Sequence, residues 1–345
     1  MAPDRVLLID GAAGNGGTMT GTTVVITGAS NGIGRATVRR FARPGVNVAL
    51  VARGRDGLEA TRREVEHAGG RALALPTDVS DAAAVDAAAD AVEEAFGPID
   101  IWINNAMATV FAFLWDVSPE EFRRANEVTY FGSIWGMQAA LRRMRPRDRG
   151  TIVQVGSALA YRGIPLQAPY CGAKHGIQGV FESLRTELRH EGSSVHLTTV
   201  HLPGVNTPQF EHARDKLDTV SRPVAPVYQP EVAADAIHWA AHHRRREVFV
   251  GVPTLYTVWG NRLSPWLTER YLAATAVKGQ LTDRPRSPER QDNLFAPPMG
   301  DPGARGPYDD GAHERSVQLW ATRHRRAIGT AVAAAAVAGA AAAAR

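Results

Sequence analysis

The sequence predicts an α/β protein with a doubly wound parallel sheet of about seven strands, helices on both faces and a C-terminal extension. Apolar runs without strict polar alternation recur between Thr22 and Gly251, as expected for strands that are covered on both faces. Helical patterns separate these runs, and a glycine-rich turn joins the first strand to the first helix. Alternation of this kind is typical of a parallel sheet with crossover helices.

Each predicted strand is a short apolar run, and each predicted helix is a longer amphipathic pattern. In chain order the strand patterns are TTVVITG, NVALVA, RALALPTDV, IDIWINNA, GTIVQVGS, SVHLTTVHLPG and REVFVGV. The helical patterns between them span Ile33–Arg43, Asp56–Ala68, Ser80–Phe96, Pro119–Arg145, Pro169–Glu191 and Pro230–His242. No internal repeat is visible, so we expect one sheet rather than a repeat array.

The chain divides into four predicted parts. Residues 1–18 form an N-terminal extension that does not resemble a signal peptide, because its short apolar run is interrupted by Asp10 and followed by glycines. Residues 19–253 form the domain with the alternating strands and helices, and Met19 is an alternative start. Residues 254–326 form a C-terminal extension with an aromatic amphipathic stretch and an irregular Pro/Gly-rich loop. Residues 327–345 form an Ala-rich tail.

Composition excludes several classes of function. The net charge is only +4, and the basic residues form no face interleaved with aromatics, so we expect no nucleic-acid partner. The single cysteine, Cys171, excludes an internal disulfide framework and suits a reducing compartment. Nothing in the sequence around it indicates that it is a nucleophile. His238, His242 and His243 lie at helical spacing, but cations at an exposed helix end explain them better than a metal. We therefore expect a cytoplasmic protein without a metal.

The turn VVITGASNGIGRA has the order strand, glycine turn, helix, with glycines at Gly28, Gly32 and Gly34. A dinucleotide pyrophosphate needs bare backbone at a helix N-terminus, where unpaired N–H groups point outward. Because the turn follows the first strand of an alternating series, it predicts a dinucleotide site.

The stretch PYCGAK places Tyr170 and Lys174 four positions apart, on one face of a predicted helix. Lysine is rare here: the chain has three, against 36 arginines. A tyrosine with its ordinary pKa of about 10 exchanges protons poorly at neutral pH. We expect the nearby ammonium to lower the pKa of Tyr170, and a compact ammonium suits this role better than a guanidinium.

Taken together, these motifs resemble the short-chain dehydrogenase/reductase family, whose domain is a Rossmann fold. The turn has the T-G-x-x-x-G-I-G form, Asp78–Val79 is similar to the adenine-contacting pair, and PYCGAK carries the Y-x-x-x-K with Ser157 ahead of it. Asn104–Ala106 is similar to the family's N-N-A-G, with Met107 in place of the glycine. Pro203–Pro208 is similar to the P-G turn whose threonine meets the nicotinamide amide. The resemblance covers about Thr20 to Val252.

The resemblance implies roles for individual residues. Tyr170 would be the general acid/base, Ser157 would hydrogen-bond the substrate oxygen and Lys174 would contact the ribose. The implied cofactor-binding residues are Thr27, Gly28, Ser30, Asn31, Gly32, Ile33, Gly34, Arg53, Asp78, Val79, Asn105, Ala106, Tyr170, Lys174, Pro203, Gly204, Val205 and Thr207. The Pro119–Arg145 and Pro169–Glu191 helices would form a homodimer or homotetramer interface.

The end of the second strand predicts the choice of cofactor. NAD-preferring relatives carry an acid there that binds both ribose hydroxyls, whereas this chain has Ala52 and Arg53, with Arg55 close by. Arg53 could pair with a 2′-phosphate, so we expect NADP, with NAD as the alternative. The other possibility is that Arg53 and Arg55 are ordinary loop charges.

Thr129 departs from the family pattern. Aligned on Gly132, it stands where relatives carry an asparagine that helps hold a water connecting the active-site lysine to solvent. Asn126 lies one helical turn too early to replace it. Thr129 either holds that water from a shifted position, leaves a weaker relay, or only packs; we include it with Ser157, Tyr170 and Lys174 as a catalytic candidate.

The sequence thus predicts an NADP(H)-dependent oxidoreductase that interconverts an alcohol and a ketone or aldehyde. Residues Thr109–Trp115, Leu159, Tyr161, Ile164 and Phe210 could line an apolar substrate pocket, although core packing explains some of them equally well. The alternative is a catalytically idle dinucleotide-binding regulator. The Ala-rich tail and the aromatic stretch Leu255–Leu272 could contact a membrane, but we favour an exposed or packed helix for the tail.

Overall fold

The computed structural model describes residues 21–287 and 289–343 of the chain. The predicted N-terminal extension and the alternative start at Met19 lie outside the described residues.

The strands confirm the predicted sheet. In chain order they are β1 Thr22–Thr27, β2 Val46–Ala52, β3 Arg71–Pro76, β4 Ile101–Asn104, β5 Val110–Phe111, β6 Thr151–Ser157, β7 His196–Leu202, β8 Gly204–Val205, β9 Arg214–Asp215, β10 Thr219–Ser221, β11 Val227–Tyr228, β12 Glu247–Phe249 and β13 Leu281–Pro285. Within the described residues, seven of them form one parallel sheet in the order β12-β7-β6-β4-β1-β2-β3. The short strands pair two by two, β10 with β13, β11 with β8 and β5 with β9.

The helices lie close to their predicted positions. They are α1 Gly32–Phe41, α2 Arg55–His67, α3 Ala82–Phe96, α4 Pro119–Asn126, α5 Gly132–Met144, α6 Ala168–His190, α7 Gln209–His212, α8 Pro230–His242, α9 Gly251–Leu263, α10 Pro265–Gly279 and α11 Val317–Ala343. One difference lies in the long helix predicted over Pro119–Arg145. A π-helical turn, Glu127–Phe131, separates α4 from α5, and such turns are frequent at functional sites.

The sheet is covered on both faces. Adjacent residues Val24 and Val25 of β1 are both fully buried, and they belong to different hydrophobic clusters. The Val24 cluster includes side chains of α1, α2 and α8, such as Phe41, whereas the Val25 cluster includes side chains of α3, α5 and α6, such as Phe181. Burial of alternate residues on opposite faces explains why the strand sequences are apolar throughout.

The strand order reverses at β1, which lies between β4 and β2. At such a switch point, the loops leaving two neighbouring strands turn to opposite sides and leave a crevice beyond their carboxyl ends. Here those loops are the glycine turn after Thr27 and the segment after Asn104. The fold therefore opens a groove at the place where the sequence predicts the dinucleotide site.

The C-terminal extension packs back onto the domain. Helices α9 and α10 contact each other, and β13 pairs with β10. From 286 to 316 the described residues form no regular helix or strand, as the Pro/Gly-rich sequence predicts. Helix α11 runs without a break through the boundary predicted between residues 326 and 327. None of the described helices is both long and apolar enough to cross a membrane.

Candidate active site

Three of the four predicted catalytic residues lie together at the carboxyl end of the sheet. Ser157 ends β6, and Tyr170 and Lys174 occupy the first two turns of α6. The Ser157 hydroxyl acts on the Tyr170 phenol and lowers its pKa, and the Lys174 Nζ lies 5.4 Å from the centre of the Tyr170 ring. Lys174 Nζ also donates to the carbonyl of Val155, at 2.8 Å. The fold therefore brings the predicted trio into one cluster.

Burial controls the protonation of this cluster. Desolvation raises the pKa of Tyr170 to about 12, although the hydrogen bond with Ser157 acts in the opposite direction. Desolvation also lowers the pKa of Lys174, to about 8. In the chain by itself the pKa of Tyr170 thus lies above its ordinary value, because the loss of water around the phenol has the largest effect. The lowering of this pKa by the Lys174 ammonium stays a prediction. Both groups keep their protons at neutral pH, so Tyr170 can donate one.

The glycine turn has the shape that a closely approaching pyrophosphate requires. Gly28 has φ +68° and Gly32 has φ +55°, a region that favours glycine. A Cβ atom on Gly34 would lie 2.0 Å from the Gly28 carbonyl oxygen, so no side chain fits there. These residues leave a bare backbone cradle at the start of α1, and on that observation the site fits a dinucleotide.

Hydrogen bonds join this turn to the loop after β4. The Thr27 hydroxyl accepts the N–H groups of Asn105 and Ala106, at 3.0 and 3.1 Å. The Asn105 amide donates to the carbonyls of Thr27 and Gly28, at 3.0 and 3.3 Å. Asn104 is buried and binds Trp102 and Ser133 instead. Thr27 and Asn105 thus fix the two loops at the switch point.

Eleven of the predicted cofactor-binding residues line one continuous groove. They are Gly28, Ser30, Asn31, Gly32, Ile33, Arg53, Asp78, Val79, Asn105, Ala106 and Thr207. Thr27, Gly34, Tyr170, Lys174, Pro203, Gly204 and Val205 do not line it. Gly204 and Val205 form β8, whose pairing with β11 supports the turn that presents Thr207.

The groove has further lining residues that the sequence reasoning missed. They include Thr77, Met107, Val128, Gln209 and His212, and, from the C-terminal extension, Asn293, Pro297 and Pro298. Thr77 and Met107 could have been predicted, because each lies one residue beyond a motif that the sequence analysis used. No sequence signal points to the C-terminal residues.

Arg53 has partners that the sequence did not predict. Its Nη1 donates to the carbonyls of Leu294 and Phe295, at 3.2 and 3.1 Å, and its Nη2 donates to the carbonyl of Asn293. The guanidinium therefore lines the groove while it holds the C-terminal extension. A role for Arg53 in binding a 2′-phosphate stays a prediction.

Asp78 is also held by neighbours. Its carboxylate accepts hydrogen bonds from Ser80 and from Arg124. Burial raises the pKa of this carboxyl, but the hydrogen bonds from Arg124 and Ser80 lower it by more, so the net pKa lies below the ordinary value. Asp78 is thus an ionised, oriented part of the groove wall.

Thr129 lies on the π turn and is fully buried. Its hydroxyl hydrogen-bonds the loop that follows β4. Asn126, by contrast, bonds the Phe122 carbonyl of its own helix on the surface, so it does not replace Thr129 in the site.

A buried histidine beside the catalytic strand is another residue that the sequence reasoning missed. His201 of β7 is fully buried, and its Nε2 lies 3.1 Å from the Tyr161 hydroxyl. A Cβ atom on Gly156 would lie 2.7 Å from its Nδ1. Burial lowers the pKa of His201 to about 4, so the ring is neutral at physiological pH.

The apolar residues proposed for the substrate pocket divide into three groups by burial. Phe111 and Phe210 are buried against each other, with ring centres 5.7 Å apart, and they act as core residues. Leu114 and Trp115 are exposed, with Trp115 stacked on Phe113. Leu159, Tyr161 and Ile164 are half-buried, and they lie in the stretch of chain between Ser157 and Tyr170.

The remaining candidate residues have structural roles. His238 packs on Phe41, with ring centres 4.7 Å apart, and His242 follows one turn later. Within the described ranges, no three His, Cys, Asp or Glu side chains are grouped so that they could hold a metal. Cys171 is buried, which raises the pKa of its thiol to about 11.

Comparison with known proteins assigns the family. The family model described as short chain dehydrogenase matches residues 22–218, and the chain belongs to this family of oxidoreductases. An uncharacterised oxidoreductase of Bacillus subtilis is 33% identical over 276 residues, which cover 79% of this chain and 77% of that protein. A 3beta-hydroxysteroid dehydrogenase of Eggerthella lenta is 32% identical over 256 residues, which cover 72% of this chain and 96% of that protein.

Solved structures support the same assignment. A metagenomic short-chain oxidoreductase in complex with NADP is 28% identical, with a TM-score of 0.57, and the match covers 68% of this chain and 98% of that one. An alcohol dehydrogenase of the archaeon Thermococcus sibiricus, complexed with 5-hydroxy-NADP, is 27% identical, with a TM-score of 0.58. That match covers 66% of this chain and 95% of the archaeal chain.

Proposed function

We propose that this chain is an NADP(H)-dependent oxidoreductase that interconverts an alcohol and a ketone or aldehyde, on an apolar substrate. The observation that carries the proposal is the cluster of Ser157, Tyr170 and Lys174 beside a groove with a glycine cradle. The cluster supplies a protonated phenol held by a serine hydroxyl. The cradle suits a dinucleotide, and both solved relatives were crystallised with NADP or a derivative of it.

The proposed mechanism assigns each residue a task. When bound, the nicotinamide supplies or accepts the hydride. The Ser157 hydroxyl holds the substrate oxygen, and Tyr170 donates its phenol proton to that oxygen during reduction or takes it back during oxidation. Lys174 binds the ribose, and its ammonium stabilises the phenolate left after proton transfer.

The choice of NADP over NAD depends on the end of β2. Ala52 provides no carboxylate for the ribose hydroxyls, and the guanidinium of Arg53 is part of the groove wall. To bind a 2′-phosphate, the Arg53 guanidinium would have to contact it as well as the main-chain carbonyls that it binds in this structure. NAD remains the alternative cofactor.

Steady oxidation of NADPH in the presence of a panel of apolar ketones and aldehydes tests the proposal. We expect turnover with at least one of them, and turnover lower by about 10²–10⁴-fold in Tyr170→Phe. An NADPH complex that turns over no carbonyl compound would favour the alternative function, a regulator that binds the dinucleotide without catalysis.

We further propose a cytoplasmic homodimer or homotetramer whose interface includes α4, α5 and α6, as the family resemblance implies. The part of the chain at 19–253 is proposed as the catalytic domain. Contact with a lipid surface is a second proposal, supported by aromatic residues on α9 and α10. Trp259 is 56% exposed and Trp266 is 65% exposed, and such side chains favour a membrane interface.

A further inference from the structure

The cofactor groove has a wall that comes from the far end of the chain. We define the covering segment as residues Asp292–Asp309, an irregular stretch of the C-terminal extension. Its residues Asn293, Pro297 and Pro298 line the groove together with the glycine turn and the end of β2. Nothing in the family motifs assigns these residues to the site.

We propose that the covering segment encloses the dinucleotide site and must lift for the cofactor to enter or leave. This inference rests on the proposed function, because it takes the groove to be a cofactor site. The segment contacts three of the loops that the motifs assign to the cofactor.

The first contact is with the phosphate-binding turn. The Gly32 N–H, at the start of α1, donates to the carbonyl of Gly303, at 3.1 Å. Two residues earlier in the segment, Asp301 forms an ion pair with Arg35 of the same helix. The segment thus accepts a hydrogen bond from a main-chain N–H of the glycine turn, and such N–H groups are the donors that bind a pyrophosphate.

The second contact is with the end of β2 and the start of α2. Arg53 donates to the carbonyls of Leu294 and Phe295, and the Gly300 N–H donates to the Asp56 carboxylate, at 3.1 Å. The third contact is beside the turn that carries Thr207. There the Asn206 side chain accepts the Tyr308 N–H, at 3.1 Å, and donates to Asp309, at 3.0 Å.

The burial pattern divides the segment into fixed ends and a central span. Leu294 is fully buried and Ala304 is 3% exposed, so both ends are anchored in the core. None of the described residues 295–303 between them is buried. The span holds to the domain through polar contacts near water, which open more easily than apolar packing does.

Two glycines allow the central span to move. Gly300 has φ +72° and Gly303 has φ +74°, and they flank the Asp301 that pairs with Arg35. Glycine tolerates a wide range of backbone angles, so Gly303 at one end of the span and Gly300 within it can absorb the changes that opening requires. The span can therefore lift while Leu294 and Ala304 stay in place.

A reversible disulfide tests whether lifting is required. A Cβ atom on Gly54 would lie 3.4 Å from the Pro297 Cβ, close to the Cβ–Cβ distance of about 3.5–4.5 Å in disulfides. The double variant Gly54→Cys/Pro297→Cys can therefore be locked by oxidation and released by a thiol reductant. Cys171, the natural thiol, is buried.

The measurement is stopped-flow binding and release of NADPH, followed by its fluorescence. We expect the oxidised double variant to bind NADPH about tenfold or more slowly than the same protein after reduction. When the protein is loaded before oxidation, release should slow to a similar degree. The single variants Gly54→Cys and Pro297→Cys are the controls and should not respond to reductant. Equal rates before and after reduction, with the crosslink verified by mass, overturn the proposal.

A second variant keeps the test independent of the crosslink. Asp301→Ala removes the ion pair with Arg35, so we expect faster association and faster release of NADPH, each by several-fold. Asp310→Ala is the matched control, because Asp310 is exposed and forms no ion pair within the described part of the chain. Unchanged rates of NADPH binding and release in Asp301→Ala contradict the proposal that the covering segment must lift. Failure of the wild-type chain to bind either NADPH or NADH overturns the proposed function itself.

Discussion

The Thr129 hydroxyl is shared between the two main-chain groups of Ala108: it donates to the carbonyl at 2.8 Å and accepts the N–H at 2.9 Å. These bonds join the π turn to the loop after β4. A hydroxyl has one proton to donate, and here it is used in the hydrogen bond to the Ala108 carbonyl. Thr129 can therefore accept a hydrogen bond from a water but cannot donate one while it holds this loop.

The first prediction concerns Thr129→Val, which keeps the shape and removes the hydroxyl. We expect lower turnover with little change in NADPH affinity. Because two buried main-chain groups lose their partner, the free energy of unfolding should also fall by about 1–3 kcal/mol. Denaturant titration and steady-state kinetics measure the two effects.

Thr129→Ser is the matched control and should restore both properties. If Thr129→Val equals wild type in turnover across the pH range, Thr129 has no part in the proton relay. A loss of stability without a change in the pH profile would assign it to loop support alone.

The second prediction concerns Tyr170→Phe, which removes the phenol proton and little else. We expect turnover to fall by about 10²–10⁴-fold, the usual contribution of general acid/base catalysis, while NADPH still binds. Tyr256→Phe, at an exposed tyrosine of α9, is the control. Near-wild-type turnover in Tyr170→Phe would refute the proposed mechanism.

The third prediction uses the lowered pKa of Lys174, about 8 against an ordinary 10.5. Between these values the unfolded chain binds more protons than the folded chain, so the stability of the wild type rises with pH in this window. Lys174→Met removes the buried ammonium. We therefore expect the variant to be more stable below pH 8, by roughly 3 kcal/mol.

That advantage should shrink as the pH rises from 8 towards 10.5, while turnover and cofactor affinity are both reduced. Denaturant titration over this range, without cofactor, measures it. Lys278→Met, at an exposed lysine of α10, should show no such trend. A stability difference that does not vary with pH would mean that the ammonium is not the cause.

The fourth prediction concerns cofactor choice. We expect fluorescence titration to give tighter binding of NADPH than of NADH, and Arg53→Ala to remove most of the difference. Arg55→Ala is the control at the neighbouring arginine. Equal affinities in the wild type, or an unchanged preference in Arg53→Ala, would end the 2′-phosphate role and leave Arg53 as a support for Leu294.

The fifth prediction tests lipid contact. If the tail anchors the chain, full-length protein should sediment with membranes and a chain ending at Arg326 should do so less. Replacing Trp259 and Trp266 by alanine tests the exposed aromatic surface separately. If every form stays in the soluble fraction without detergent, the membrane proposal fails.

Local sequence patterns predicted the sheet and the glycine turn because their causes are local. Gly28 needs a positive φ within its own turn, and Tyr170 and Lys174 share a helix face because they are four residues apart. The π turn escaped prediction because one extra residue in a helical turn hardly disturbs the apolar periodicity. The pKa of Tyr170 depends on burial, which spacing along the chain does not report.

The covering segment could not be predicted for a different reason. Arg53 and Leu294 are 241 positions apart, and a Pro/Gly-rich stretch has no period that would specify its partner. Composition could only indicate that the stretch is irregular. Its position over the groove depends on main-chain carbonyls, which every residue possesses.

The distance along the chain between Arg53 and Leu294 has a consequence for biosynthesis. The two residues leave the ribosome 241 positions apart, so at about 5–20 residues per second Arg53 is made roughly 10–50 s before its partner. During that interval the nascent nucleotide-binding half carries its glycine turn with no covering segment across it. A dinucleotide present during translation meets an open groove, and the covering segment, which is made later, then closes over it.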